Sequence, residues 1–235
     1  MTRPEEINAI VESVGRYDSN NLLTLEAYVL SQLSANSPDP SANLAVLKLY
    51  QFNPALTNIA TVTAILSLAL ASLPDPHFNL AISLIAADVA SNKYVADLIR
   101  IQALLESCRF TQFWAAYDAG IKVPTYDAKI KAGGAPVSIS QQFPAFATQI
   151  RKYITSTLGY TYQQISLAQF KEYVHLDKKE LTAWISQSGC SVNSDDATLV
   201  DFPSTPENIP KPALVKENIK FEQLTKIIGV SRISV

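Results

Sequence analysis

Through the first two-thirds of the chain, apolar residues recur every three or four positions. That period lays one side of a helix against a core. It predicts helices at Glu5–Val14, Leu22–Ala35, Ala42–Gln51, Asn58–Leu73, Phe78–Ala90, Val95–Ser107, Phe110–Ala119 and Pro144–Leu158. Pro38, Pro40, Pro54, Pro74, Pro76, Pro124, Pro136 and Pro144 fall between such runs, where a missing N–H does least harm. Gly15, Gly120, Gly159, Gly189 and Gly229 each follow a run, the place for a left-handed C-cap. Short connections make neighbouring helices antiparallel, so consecutive pairs can stack as in a HEAT or tetratricopeptide solenoid. No fixed repeat length supports that stacking independently.

Two runs are apolar nearly all round. In "NLAVLKLYQFNPA", Asn43 to Ala55, only Lys48 and Gln51 are polar between Leu44 and Phe52. The second, "IATVTAILSLALASL", runs from Ile59 to Leu73 and stops at Pro74. As a helix the second spans roughly 22 Å, short of the ~30 Å hydrocarbon core of a bilayer. Both are expected to be buried between other helices, with Lys48 and Gln51 marking a narrow wet stripe on the first.

The pattern fails between Ile121 and Gln142, "IKVPTYDAKIKAGGAPVSISQQ", which is expected to be a long surface loop. Its Gly133-Gly134 pair lacks the spacing and the following helix start of a phosphate-binding loop. After Gly159 the pattern changes again. Ser166-x-x-Gln169 and Asp177-x-x-Glu180 read as two capping boxes, separated by one helix and by His175 and Leu176. That is helix-turn-helix spacing. "CSV" and "TLVDF", split by "NSDDA", read as two short strands, and "NIKFEQLTKIIG" as a closing helix with Phe221, Leu224, Ile227 and Ile228 on one face. Helix-turn-helix plus a two-stranded ribbon is the outline of a winged helix. The fold class expected is mainly α: a HEAT-like stacked helical domain over 1–158, containing the 121–142 loop, then a small α+β winged-helix domain over 159–235.

Composition sharpens this picture. Of 235 residues, 48% are hydrophobic, enough for a substantial core, while 17% are charged, below the usual ~25%. A surface with so little charge suits partial cover by partners. Net charge is −2, which draws the chain to neither nucleic acid nor anionic lipid. The opening "MTRPEEINAIVESVGRYD" has acids where a signal peptide needs an apolar run. Cys108 and Cys190, two cysteines far apart, lean towards a reducing compartment. A cytoplasmic location is expected.

Chemistry finds little purchase. His77 and His175 have no His, Cys, Asp or Glu at i+3 or i+4 that would make a zinc pattern, and His175 is expected to cap a helix end. Cys108 would need a histidine beside it to act as a nucleophile, and nothing places one there. Asp195-Asp196 are adjacent in a turn, where carboxylates point to water rather than at one substrate. Phe110, Phe113, Trp114 and Tyr117 form a helix face suited to a core, as do Leu181, Trp184 and Ile185. No cofactor, metal or catalytic site is expected. A winged helix raises the alternative of a nucleic-acid binder. Yet Tyr160 to Val235 carries eight basic and nine acidic side chains, and no Lys or Arg lies between Lys48 and Lys93. Little phosphate binding follows from that balance.

Three ordered blocks resemble the subunit K family of eukaryotic translation initiation factor 3. They are "SNNLLTLEAYV" with "NLAVLKLYQFNPA", then "LLESCRFTQFWAAYD", then "IRKYITSTLGYTYQQIS" leading to "LTAWISQSG". Ile121–Gln142 looks longer than the family pattern, and Val192–Pro212 diverges from it. The resemblance implies a HEAT-like domain and a winged helix related to the PCI modules of the proteasome lid and signalosome. It implies a non-catalytic subunit of the factor that binds the small ribosomal subunit and supports mRNA recruitment, with subunits L and E as neighbours. It brings no ligand position. From the module type, the expected protein interface is Lys178 and Lys179 on the second winged-helix helix, with Leu199, Val200 and Phe202 on the wing.

Overall fold

The computed structural model describes residues 3–127, 132–194, 196–210, 224–225 and 228–229. The chain opens with α1 (Glu5–Val11), α2 (Leu22–Ala35), α3 (Pro40–Phe52), α4 (Ile59–Ala71), α5 (His77–Leu84), α6 (Ala87–Ala90), α7 (Lys93–Glu106) and α8 (Phe110–Asp118). A hairpin follows, β1 (Lys122–Asp127) and β2 (Ala132–Ser138), then α9 (Ile139–Gln142) and α10 (Phe146–Thr161). The last part is β3 (Gln164–Ser166), α11 (Leu167–Val174), α12 (Lys178–Gln187), β4 (Ser191–Val192) and β5 (Leu199–Asp201). The expected mainly helical fold with a small α/β part is present.

Short polar side chains start the helices. Asn58 accepts the Ala60 N–H at 3.0 Å, Asn92 that of Tyr94 at 3.1 Å, and Ser166 that of Gln169 at 3.3 Å. Asp177 makes no such bond, so the second expected capping box does not close. At helix ends the outcome differs from the glycine rule. Gly120 and Gly189 take positive φ, but so do Asn36, Cys108 and His175. Gly15 sits in a 3-10 turn, and Gly159 lies inside α10. A Cβ on Gly159 would lie 3.4 Å from the Phe202 ring, so the small residue lets β5's end pack close to α10.

The centre of the stack is α4. Every residue from Ala60 to Leu70 is buried, because α2, α5, α7, α10 and both hairpin strands pack around it. Thr63 and Ser67 donate to the carbonyls of Ala60 and Thr63, so their hydroxyls are satisfied inside the helix. α3 lies one layer out, against α1, α2, α4 and α5. Its Ala42, Val46, Leu49 and Tyr50 are buried, while Phe52 is exposed. Buried polar groups stitch α2 to α3: the Gln32 and Asn43 amides bond each other at 2.9 and 3.1 Å, and the Tyr50 hydroxyl donates to Glu26. Burial first, and then Glu26, push the Tyr50 phenol far above its usual pKa, which keeps it a donor.

Asp39 caps α3 and takes the Arg3 guanidinium on both oxygens, at 2.6 and 2.9 Å. Burial pushes its carboxyl up, but Arg3 and the Ala42 N–H more than offset this and hold it below the ordinary value. A depressed carboxylate stabilises the fold above its unfolded pKa, and that contribution is lost as pH falls through the folded value. Asp39→Asn should therefore destabilise the protein clearly at pH 7 and progressively less below about pH 4. Urea unfolding at pH 7 and pH 3 measures the difference.

Two features depart from the sequence reading. The expected loop at 121–142 is largely a hairpin, with Val123 opposite Val137, Pro124 opposite Pro136, and a register shift before Tyr126. An isolated two-stranded ribbon has two free edges and so tolerates prolines that mask a strand pattern. Ile121 and Val123 are buried. The single helix expected at Phe78–Ala90 breaks at Ile85 and Ala86, which are extended although neither is glycine or proline. α10 itself runs on past Leu158 and Gly159 to Thr161, so one helix joins the two parts. The closing helix expected near "NIKFEQLTKIIG" lies mostly outside the described residues.

Candidate interaction surfaces

β3, α11, α12, β4 and β5 follow α10 in the order of a winged helix. The three strands form one antiparallel sheet, β3–β5–β4, with Ile165 opposite Val200 and Val192 opposite Val200. β3 was not anticipated in the sequence. Ile165, Phe170, Val174, Leu181, Ile185 and Val200 are buried beneath the sheet and helices. The Phe202 ring meets that of Phe170 edge-on at 5.9 Å.

Side chains from both sides fix this unit to the helical stack. Trp114 on α8 donates its indole N–H to the Tyr173 carbonyl at 2.7 Å. Arg151 on α10 donates to the carbonyls of Val174 and His175 at 3.1 and 3.2 Å, capping the C-terminus of α11 with a cation. The same guanidinium lies 5.1 Å over the Trp114 ring. On that ring His175 stacks at 5.2 Å, and its Nε2 lies 3.1 Å from the Asp118 carboxylate. Trp184 on α12 adds a bond from its indole N–H to the Thr155 hydroxyl at 3.0 Å. His175 thus occupies the left-handed C-cap of α11, as the sequence suggested. Its partner is Asp118, not the nearby Asp177.

The remaining candidates for chemistry are scattered. Cys108 is exposed in the turn after α7, and Cys190 is buried, where burial raises its thiol pKa. His77 Nδ1 lies 3.8 Å from Asp75, too far for a hydrogen bond. In the wing, the Thr198 hydroxyl and N–H bond the Asp196 carboxylate and hold its pKa below the usual range. Among the described residues, no group of three or more His, Cys, Asp or Glu side chains is placed to hold a metal ion. Nor is any helix among them long and apolar enough to cross a membrane.

What the winged helix offers is surface. Lys179 is exposed and Leu199 half-buried. Val200 and Phe202, also expected at the interface, are buried within this chain. Alternation along a strand explains it, since positions 200 and 202 share the inner face and 199 and 201 the outer. The Lys178 side chain lies outside the described residues. Beside the wing, Leu167, Ala168, Leu181, Ile185 and Val192 line an open, mostly apolar hollow of about 590 Å3. β4 forms one edge of the sheet, with Ser191 and Val192 both exposed.

The architecture defines a class of protein: a helical stack carrying a winged helix. Within that class the CSN8/PSMD8/EIF3K family profile matches residues 56–212. The chain is 32% identical over 227 residues to "Eukaryotic translation initiation factor 3 subunit K" of Mus musculus, covering 96% of this chain and 95% of the relative. The Homo sapiens protein of that name is 31% identical over the same span, and the Cryptococcus neoformans one 28% identical over 245 residues. The chain belongs to the CSN8/PSMD8/EIF3K family.

Proposed function

We propose that the chain is a non-catalytic scaffold subunit of eukaryotic translation initiation factor 3, acting through protein–protein contacts. The observation that carries this reading is its kinship, over nearly the whole length of both chains, with proteins named subunit K. In this reading residues 1–158 serve as the helical scaffold and 159–235 as the winged-helix module. Subunits L and E of the factor are its neighbours. It meets the small ribosomal subunit through the complex, supports mRNA recruitment, works in the cytoplasm and needs no cofactor. The winged helix supports this role with an exposed strand edge and an apolar hollow, both means of holding another protein.

The proposed contact runs along the wing and α12, through Lys178, Lys179, Leu199 and the β4 edge, with Val200 and Phe202 supporting it from below. Lys179→Glu with Leu199→Asp should weaken recovery of the other initiation-factor subunits by at least about tenfold, the loss of a modest hot spot. Thermal unfolding should change little, because both positions reach the surface. Full recovery of those subunits by the double variant would overturn this placement of the interface.

A further inference from the structure

We propose that the face formed by Val14, Arg16, Tyr17, Lys48 and Phe52 docks an amphipathic segment of a partner protein, with carboxylates beside its apolar side chains. This site lies on the helical stack and goes beyond the winged-helix contact. Val14, Tyr17 and Phe52 are 83%, 54% and 57% exposed. Single exposed apolar residues are ordinary, but two of these meet: the Tyr17 and Phe52 rings lie 6.2 Å apart, tilted at 53°, with Val14 in the same turn as Tyr17. They join the 3-10 turn Val14–Tyr17 to the last residue of α3.

Charge selects the occupant. The Lys48 ammonium sits 5.0 Å over the Phe52 ring, and the Arg16 guanidinium 5.8 Å over that of Tyr17. Among the described residues, neither cation has a carboxylate within 4.0 Å, and the Lys48 ammonium donates only to the neutral Gln51 side-chain oxygen at 2.7 Å. The sequence neighbours Glu12 and Asp18 are already engaged, with Arg3 and with the Asn20 N–H. An acidic, apolar segment would cover both rings and supply the missing anions. A nucleic acid fits less well, because no Lys or Arg follows Lys48 until Lys93 to extend a phosphate track. A second copy of this chain would bring the same two cations against themselves.

The test uses the isolated full chain and a fluorescent peptide of about 16 residues, with leucines at helical spacing and flanking glutamates. Fluorescence anisotropy should show saturable binding. Arg16→Glu with Lys48→Glu, or Phe52→Ser, should weaken it at least about tenfold, as should replacing the peptide's glutamates with lysines. Thermal unfolding checks that each variant stays folded, and the charge pair decides alone if Phe52→Ser lowers the midpoint. Absence of saturable binding, equal binding of the two peptides, or insensitivity to the charge pair would overturn the proposal. Tighter binding of a labelled uridine oligonucleotide would do the same. Membership of the initiation factor is read separately by co-purification, so failure here leaves that reading standing.

Discussion

Trp114→Ala should lower the unfolding free energy by about 3–5 kcal/mol, the usual cost of deleting a buried aromatic. Trp114 is 2% exposed and contacts three elements at once. It meets Phe113 and Tyr117 edge-on within α8, bonds the Tyr173 carbonyl on α11 and lies beneath the Arg151 guanidinium from α10. Removing it leaves a cavity, an unpaired carbonyl at the end of α11 and a partly buried cation without its ring. Trp114→Phe separates these effects, for it keeps most of the bulk and loses the indole N–H. About 1–3 kcal/mol is expected for that loss. Urea unfolding of both variants measures them. A cost below about 1 kcal/mol for the alanine variant would show that the winged helix is held by other contacts.

Leu68→Ala should cost about 2–5 kcal/mol. Leu68 is 0% exposed in α4, which is enclosed by helices and the hairpin, so little can move to fill the gap. Leu80→Ala is the control. Leu80 is 46% exposed on α5, and its truncation should fall within about 0.5 kcal/mol. Equal costs at the two positions would contradict the placement of α4 at the centre.

How much of this was legible follows from which forces were local. The enclosure of α4 showed as an unbroken apolar run with a short polar cap, Asn58, at its start. The run "NLAVLKLYQFNPA" correctly signalled burial, yet its last aromatic, Phe52, faces solvent and touches Tyr17. Periodicity says where a helix is apolar, not where its neighbours stop. β3 is a three-residue strand whose only cause is its partner β5, and the β1–β2 hairpin was hidden by its facing prolines. The Trp114–Arg151–His175 junction joins residues far apart in sequence, and no spacing rule brings them together. The inward placement of Val200 and Phe202 was legible, since alternation along "TLVDF" already put them opposite Leu199.

The central claim is membership of an initiation-factor assembly through protein contacts. It is tested most directly by tagging the full chain, recovering it from native cytosol before and after nuclease treatment, and identifying what accompanies it by mass spectrometry. The account predicts the other subunits of translation initiation factor 3, in equal yield under both conditions. Recovery of none of them, or their loss on nuclease treatment, would contradict it.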